Sequence, residues 1–423
     1  MACPPACAHA FTLVPFPAAF TSPSWSFDSQ RLYPLLQKHP LYTPDPALAH
    51  VHVIPHKQPF GEDEYAGQQY YDWMAANYPP WNESLAAHRA NFVLFHFCDH
   101  LTDCHYFGRA GFWDVDPAYS PLSETRIVRH VVWNGRADGA TRWAPGTRAA
   151  ESPPGSLPIG SPAPGCSACV QLGKDLVVPT AENACGPFCG GDINTLRRWA
   201  VWNDWDAEHR GPSSRTPIRA LEYVREWGPR PMRVFWAGTI PPHVLQMGTQ
   251  IKYDLSGRGL MYATHRDTPG YHMYQTYDWD ANRPSPLGTP MLEMMRNATF
   301  CFSPLGTHGG DQDRYLPAIL TGCIPIMLRT VLTTDTIKAR VVFPYEGGAA
   351  EAVRWDDVAV VIDVEDVPRL NEILDAVDVA SKRAHMHTVW RKLLWTSVYG
   401  SYLGESGTDD AFQNTVRWLT ETR

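Results

Sequence analysis

The feature that most constrains the fold is an alternation of short apolar runs with helix-like segments along the second half of the chain. Continuous apolar runs are typical of strands buried on both faces, and helices between successive strands favour a parallel sheet. The predicted strands are residues 232–236, 259–263, 299–303, 323–328, 339–343 and 358–362, and the predicted helices are residues 290–297, 314–322 and 367–377. The pattern therefore predicts an α/β fold with helices on both faces of the sheet.

The first half of the chain shows the same kind of strand at residues 50–54, 91–97, 127–133 and 174–178. A stretch rich in proline, glycine and serine at 144–165 interrupts it, and we interpret this stretch as a surface insertion. Because 423 residues exceed one ordinary core, we expect two domains. The predicted boundaries are a poorly defined N-terminal segment at 1–26, an N-terminal domain at 27–215, a C-terminal domain at 216–400, and a helix at 401–423 that packs back on the N-terminal domain.

Charge and hydropathy exclude several classes of protein. The net charge of −8 gives no support to binding of nucleic acid or anionic membranes. No run approaches the ~18 apolar residues of a transmembrane helix, and residues 1–20 lack the basic region of a signal peptide. We therefore expect either a cytosolic protein or one whose targeting segment is missing from this chain.

The cysteines allow two interpretations. Cys98 and Cys104 look paired, and a group of four follows at positions 166, 169, 185 and 189, with spacing close to that of a zinc ribbon. Disulfides formed in an oxidising lumen are the main alternative to zinc, and buried thiols are a third. Two glycosylation sequons, at Asn82 and Asn297, agree with a secretory route. Together these features favour a lumenal protein.

The segment at residues 298–328 is the candidate functional site. After an apolar strand, glycines at 306, 309 and 310 permit close approach to a ligand, and Arg314 follows at the start of a helix. An arginine fork beside a helix N-terminus suits phosphate oxygens, so a nucleotide diphosphate would fit. The alternative is an exposed turn in which Arg314 pairs with Asp311 or Asp313.

The same segment carries a specific sequence signature. Its first part is Thr-Phe-Cys-Phe-Ser-Pro at residues 299–304, followed by Gly306 and Arg314, and its second part is Gly-Cys-Ile-Pro-Ile at 322–326. This signature resembles that of the exostosin family of glycosyltransferases, glycosyltransferase family 47. Further blocks agree in order with the family pattern, at residues 43–55, 87–100, 173–179, 233–238 and 343–374. The resemblance covers roughly residues 40–375.

The resemblance implies a GT-B architecture, in which two Rossmann-like domains with parallel sheets face each other across a cleft. It also implies an inverting glycosyltransferase that moves a hexosyl or pentosyl group from a nucleotide sugar to a glycan or glycoprotein. The expected donor is a UDP-sugar. Such an enzyme needs no metal or other cofactor. Asp99 and His100 are then the candidate catalytic residues, with a turn between paired cysteines as the alternative role of Asp99. The candidate donor-binding residues are Gly238, Ser303, Pro304, Gly306, His308, Arg314, Gly322, Cys323, Ile324 and Pro325.

One position departs from the family pattern. The family places an acidic residue three positions after the arginine, where it is expected to hold the ribose hydroxyls, and this chain has Pro317. The second hypothesis is therefore a catalytically silent family member that serves as a partner or glycan-binding subunit of a transferase complex. The third is a zinc-organised protein. The family resemblance implies a location in the Golgi lumen, with the cytosol as the alternative. We expect no nucleic-acid partner, and the protein could form a homo- or hetero-oligomer.

Overall fold

A computed structural model describes residues 10–15, 27–54, 66–87, 89–96, 128–132, 135–137, 176–179, 200–202, 230–240, 244, 246–253, 256–275, 289–305, 314–332, 338–346 and 352–421. The chain divides into two compact units. The first comprises Met1–Val178, Val342–Glu351 and Asn414–Arg423, and the second comprises Pro179–Val341 and Ala352–Gln413. Each unit contains its own parallel sheet and is described by itself below.

The first unit is built on a parallel sheet whose strand order follows the chain. The strands of this sheet are β1 (Phe11–Leu13), β2 (Val51–Ile54), β3 (Phe92–His96), β4 (Val128–Val132) and β6 (Leu176–Val177). The short strand β5 (Gly135–Ala137) lies outside this sheet. The sheet order is β1-β2-β3-β4-β6, and all four pairings are parallel. Its helices are α1 (Phe27–Lys38), α2 (Ala66–Asn77) and α3 (Pro79–Ala87), with a 3-10 turn at Pro46–Leu48.

Helices α2 and α3 and strands β2 and β3 contribute to the core of this unit. Its buried members are Val14, Ile54, Met74, Tyr78, Trp81, Phe92 and Leu94. All four residues of β2 are buried, as expected for a strand covered on both faces. The predicted strands at 50–54, 91–97, 127–133 and 174–178 are therefore confirmed in position as β2, β3, β4 and β6.

A histidine is buried within this core. His52 is 2% exposed, and its Nδ1 lies 2.9 Å from the hydroxyl oxygen of Tyr78. Its ring stacks on Phe92 with the ring centroids 4.9 Å apart. Burial, together with the nearby His50, lowers the pKa of His52 to about 4. His52 is therefore a neutral core residue at neutral pH, stabilised by a hydrogen bond and ring contacts.

The second unit contains another five-stranded parallel sheet. Its strands are β7 (Met232–Gly238), β8 (Tyr271–Gln275), β9 (Ala298–Ser303), β10 (Ile324–Leu328) and β13 (Val360–Ile362). Between β10 and β13 the chain forms an antiparallel pair outside this sheet, β11 (Thr330–Leu332) and β12 (Lys338–Val342). The helices of this unit are α4 (Arg258–His265), α5 (Thr289–Asn297), α6 (Tyr315–Leu320), α7 (Trp355–Val358), α8 (Leu370–Asp375), α9 (Val379–Val389) and α10 (Thr396–Tyr399). The last helix, α11 (Ala411–Glu421), belongs for most of its length to the first unit. Three 3-10 turns lie at Gly248–Tyr253, Val364–Arg369 and Trp390–Leu393. Within the described ranges, no helix is long and apolar enough to cross a membrane.

The strand order of this second sheet reverses once. The order is β13-β10-β9-β7-β8, so the chain runs from β7 outward to β8 and then returns to the other side of β7 as β9. All pairings are parallel, and β7 and β9 are hydrogen-bonded neighbours although β8 separates them in sequence. In open α/β sheets the ligand crevice lies at such a reversal, outside the carboxyl ends of the two diverging strands. The expected ligand edge of this sheet is therefore the end of β7 and β9.

Most of the predicted elements of the second unit are confirmed, and one is wrong. Residues 259–263 were predicted as a strand but lie in helix α4. Gly257 precedes this helix with φ 67°, and the buried residues Arg258, Met261 and His265 follow helical spacing. Strand β8 was not predicted, because its buried and half-buried positions all carry large side chains and its polarity does not alternate.

The predicted α/β class, with two Rossmann-like parallel sheets, is confirmed. The arrangement of the two sheets across a cleft stays a prediction from the family resemblance.

Candidate functional site at the strand-order reversal

The carboxyl ends of β7 and β9 bring two of the predicted donor-binding residues to one edge of the second sheet. Gly238 is the last residue of β7 and Ser303 is the last residue of β9. Pro304 and Leu305 follow Ser303, and all three are buried. The chain therefore leaves β9 beside the end of β7, where the reversal of strand order places the expected crevice.

Arg314 reaches the same edge from the start of helix α6. Its Nη1 donates a hydrogen bond to the carbonyl oxygen of Ala237, the residue before Gly238. A Cβ atom built on Gly238 would lie 3.0 Å from Arg314 Nη2 and 2.9 Å from Cζ2 of Trp236. A side chain at position 238 would therefore crowd the guanidinium, and glycine is required here by close approach rather than by backbone conformation.

Arg258, the first residue of α4, is a second arginine at this edge. Its Nε donates to the carbonyl oxygen of Leu305 at 3.0 Å, and its Nη1 donates to the carbonyl oxygen of Thr239 at 3.1 Å. Arg258 is 9% exposed. The sequence analysis missed it because the segment that follows was predicted as a strand. A helical pattern beginning after Gly257 would have placed this arginine at a helix start, facing the sheet.

The predicted donor-binding residues of the Gly-Cys-Ile-Pro turn lie elsewhere. Gly322, Cys323, Ile324 and Pro325 are buried at the beginning of β10, whereas the crevice is at the strand ends. Cys323 forms a disulfide with Cys301 of β9. Gly322 adopts φ 72°, which a side chain would strain. These contacts give the turn a packing role between α6 and β10, and its contact with a donor stays a prediction.

Comparison with known proteins gives this unit a family resemblance. Residues 229–377 match the sequence model of the Exostosin GT47 domain. This part of the chain is therefore similar to an exostosin GT47 domain. The matched residues include β7 to β13, and hence both Arg258 and Arg314.

Individual relatives agree with this assignment. The chain is 28% identical over 160 residues to a "Probable glucuronosyltransferase" of Oryza sativa subsp. japonica, which is 33% of this chain and 34% of that protein. It is 28% identical over 158 residues to the "Probable beta-1,4-xylosyltransferase IRX10L" of Arabidopsis thaliana, covering 33% and 35%. The chain thus spans about a third of the length of these relatives.

One solved structure that aligns with the chain is that of AviGT4, a glycosyltransferase involved in avilamycin A biosynthesis. It aligns with 98% of this chain and 97% of its own at 11% identity, with a TM-score of 0.29. The superposition is loose, and the fold assignment stands on the two parallel sheets themselves.

Within the residues that match the exostosin GT47 model, Pro317 occupies the first turn of α6 without disrupting the helix. The helix runs over Tyr315–Leu320, and all six residues are buried. The Pro317 carbonyl oxygen accepts a hydrogen bond from the hydroxyl of Thr321 at 2.9 Å. A proline fits a first helical turn because the backbone N–H that it lacks has no partner there within the helix. Position 317 offers no carboxylate for a ribose.

The remaining predicted residues fall outside the described part of the chain. These are Asp99, His100, Gly306 and His308, together with the acidic alternatives Asp311 and Asp313. Cys98 and Cys104, which are predicted to pair, and the four clustered cysteines also lie outside it. The proposed roles of these residues, and the choice between disulfides and zinc, stay predictions. Among the described residues, no group of three or more histidine, cysteine, aspartate and glutamate side chains could hold a metal ion.

The opposite, amino edge of the second unit's sheet also carries arginines. Arg230 donates to the carbonyl oxygens of Met295, Ala298 and Thr321 at 3.2, 2.6 and 3.0 Å. Arg383 donates from Nε to the carbonyl oxygen of Gly322 at 3.1 Å. Burial, with the charges of Arg383 and Arg296, lowers the pKa of Arg230 to about 9, and burial lowers the pKa of Arg383 to about 10. Since Arg230 binds carbonyls at the ends of α5 and α6, these arginines stabilise helix C-termini.

Proposed function

We propose that the protein is an inverting glycosyltransferase that transfers a sugar from a nucleotide sugar, a UDP-sugar, to a glycan or glycoprotein. The observation that carries this proposal is the position of Arg314. Its guanidinium lies at the end of β7, at the strand-order reversal of a domain that matches the exostosin GT47 model. That is the edge where α/β sheets bind nucleotides.

The chemistry of the transfer explains why an arginine belongs there. In an inverting transfer, an acceptor hydroxyl oxygen attacks the anomeric carbon while the bond from that carbon to the phosphate oxygen breaks. The nucleoside diphosphate leaves with the electron pair, and a base takes the hydroxyl proton. Negative charge thus develops on the leaving diphosphate, where a guanidinium fork stabilises it. Asp99 is the first candidate for the base, with His100 beside it.

The names of the relatives guide the choice of donor. One relative is named as a glucuronosyltransferase and another as a xylosyltransferase. UDP-glucuronic acid and UDP-xylose are therefore the first donors to test. The transfer is expected to need no metal, since a cationic side chain stabilises the negative charge on the leaving diphosphate.

We place the protein in the lumen of the Golgi. The Cys301–Cys323 disulfide supports an oxidising compartment. The family resemblance supports the Golgi within that class of compartment. A cytosolic location is the alternative.

A donor screen tests the proposal. The full chain is incubated with UDP-glucuronic acid, UDP-xylose, UDP-glucose, UDP-galactose and UDP-N-acetylglucosamine, and released UDP is measured with and without EDTA. The expected result is release of UDP from at least one donor, unchanged by EDTA. Proton NMR of a product formed with an added acceptor then gives the anomeric configuration. Absence of release with every donor and acceptor mixture contradicts the enzymatic function.

Pro317 favours a second candidate, a catalytically silent member that acts as a partner or glycan-binding subunit. The position expected to bind the ribose is a buried proline. Calorimetry with UDP separates the two candidates. An enzyme binds UDP, whereas a silent subunit that has lost its donor site gives no heat with UDP but still binds a glycan or a partner protein.

A further inference from the structure

Helix α5 passes directly into strand β9 at a glycosylation sequon that the proposed function does not use. Asn297 is the last residue of α5, and Ala298 and Thr299 are the first two residues of β9. Asn297 is exposed, and Thr299 is half-buried. N-linked glycans are bulky and occupy the protein surface. An exposed asparagine at this junction can therefore carry a glycan without disturbing the core of the second unit.

The other sequon, at residues 82–84, lies within helix α3 and takes part in hydrogen bonds. Asn82 is exposed, but its Nδ2 donates to the carbonyl oxygen of Ala75 in α2 at 2.6 Å. Ser84 is 3% exposed, and its Oγ donates to the carbonyl oxygen of Pro80 at 2.6 Å. The nitrogen that would carry a glycan and the hydroxyl that completes the sequon are therefore both engaged within α2 and α3.

The two sequons also differ in how soon the chain around them can fold during synthesis. The partners of Asn82 and Ser84 lie seven and four residues upstream, and such local contacts form early because the loops that they close are short. Strand β9 pairs with β7 and with β10, and β10 begins only at Ile324. Residues 297–299 therefore stay outside the finished sheet until β10 has been synthesised, which leaves them accessible for longer.

We propose that Asn297 carries an N-linked glycan and that Asn82 stays unmodified. This proposal rests on the lumenal location that we propose above, and it adds a modification site to the chain. In the transfer, the amide nitrogen of Asn297 attacks the anomeric carbon of a lipid-linked oligosaccharide diphosphate. The bond from that carbon to the phosphate oxygen breaks, the lipid diphosphate leaves with the electron pair, and a base of the oligosaccharide transferase takes one amide proton.

The glycan stands at the amino edge of the second unit's sheet, away from the proposed donor edge. Asn297 directly precedes β9, and Ser303 at the other end of β9 lies at the strand-order reversal. The six residues of this strand span about 20 Å. Glycosylation of Asn297 therefore leaves the carboxyl ends of β7 and β9 open to a ligand.

Site mapping of the full chain, fused to a cleavable signal peptide and secreted from insect cells, tests the proposal. Peptide N-glycosidase F removes an N-linked glycan and converts its asparagine to aspartate. Mass spectrometry of the tryptic peptides 297–314 and 58–89 then reads each sequon separately, and a sample without the glycosidase corrects for spontaneous deamidation. Conversion is expected at Asn297 and not at Asn82. Conversion at Asn82, or its absence at Asn297, overturns the proposal.

Two substitutions of Thr299 form a matched pair. Thr299→Ser keeps the hydroxyl of the sequon and should keep the glycan, whereas Thr299→Val keeps the branched shape in β9 and should lose the glycan. Asn82→Gln should leave the glycan mass of the protein unchanged. Because the glycan is added before the sheet is complete, peptide mapping of the cell-retained fraction reads a variant that fails to fold. A glycan on Asn297 in Thr299→Val would contradict modification through the sequon.

UDP affinity tests where the glycan stands. Calorimetry with UDP on the glycosylated parent and on Asn297→Gln should give equal dissociation constants, because the amino edge is remote from the proposed donor site. A changed affinity in a variant that unfolds at the parent's temperature would contradict this position. If the parent chain does not bind UDP, the proposed function fails, while the peptide map still decides whether Asn297 is glycosylated.

Discussion

The two parallel sheets contain five described strands each, yet they differ in strand order. The first runs β1-β2-β3-β4-β6 in chain order, so each crossover moves on in the same direction. The second reverses between β7 and β9, and two arginines contact the strand ends at that reversal. A sheet without a reversal has no crevice of this kind among its described strands, so the nucleotide site that we propose falls in the second unit.

The largest expected effect follows from removing the charge at the reversal. Arg314→Ala should lower donor turnover by about a thousandfold, since a group that stabilises developing charge is lost. The free energy of unfolding should fall by only about 1 kcal/mol, for one hydrogen bond to Ala237. Released UDP and thermal unfolding measure the two effects. Arg369→Ala, which removes an exposed arginine paired with Asp366, is the control. Full turnover by Arg314→Ala would mean that the reversal is not the donor site.

The first unit contains a group, His52, that should make the free energy of unfolding depend on pH without affecting donor binding. The pKa of His52 is lowered from 6.5 to about 4 in the folded chain. Between these values the unfolded chain binds a proton that the folded chain excludes, so the free energy of unfolding falls as the pH falls, by about 3 kcal/mol at most. His52→Gln, which keeps a polar partner for Tyr78, should remove this part of the pH dependence.

Urea unfolding of the parent and of His52→Gln at several pH values between 7 and 4 measures the effect. The difference in stability between the two proteins should shift in favour of the variant as the pH is lowered. UDP affinity at pH 7 should be the same for both. A constant stability difference across this range would contradict the buried, neutral histidine.

A smaller effect is expected from a single methyl group at the reversal. Gly238→Ala places a Cβ 3.0 Å from Arg314 Nη2 and 2.9 Å from Trp236 Cζ2, so the guanidinium or the indole must shift. UDP affinity should fall about tenfold, measured by calorimetry. Gly270→Ala strains a residue with φ 81° at the opposite end of the sheet and should lower stability without changing UDP affinity. Unchanged UDP affinity in Gly238→Ala would separate Gly238 from the site.

The sequence predicted the strands best where burial is complete. Strands β9 and β10 are continuous apolar runs, and β2 is fully buried. The predictions were wrong where the residue types and the spacing of the buried residues indicate different secondary structures. The apolar residues 259–263 form a helix because a glycine in the left-handed region begins it and helical spacing buries one face. Strand β8 was missed because tyrosine, histidine and glutamine occupy its buried and half-buried positions alike.

The candidate site was predicted in part. The position of Arg314 after an apolar strand indicated a ligand edge, and its guanidinium lies at the end of β7. Arg258 could not be found from its neighbours, because its role depends on carbonyl oxygens of residues 239 and 305, which only the reversed strand order brings together. Nor did the sequence indicate that Cys323 would be bonded to Cys301 rather than exposed to a ligand.

That covalent bond has a consequence for engineering the protein. Because Cys301 and Cys323 are joined, residues 302–322 form a closed ring anchored on two adjacent strands. Lengthening or randomising the part of the ring between Leu305 and Arg314 leaves those anchors in place, and loop-closure entropy rises only slowly with length. Under the proposed function, libraries aimed at a new sugar donor can be concentrated in this interval and expressed in an oxidising host, where the ring closes.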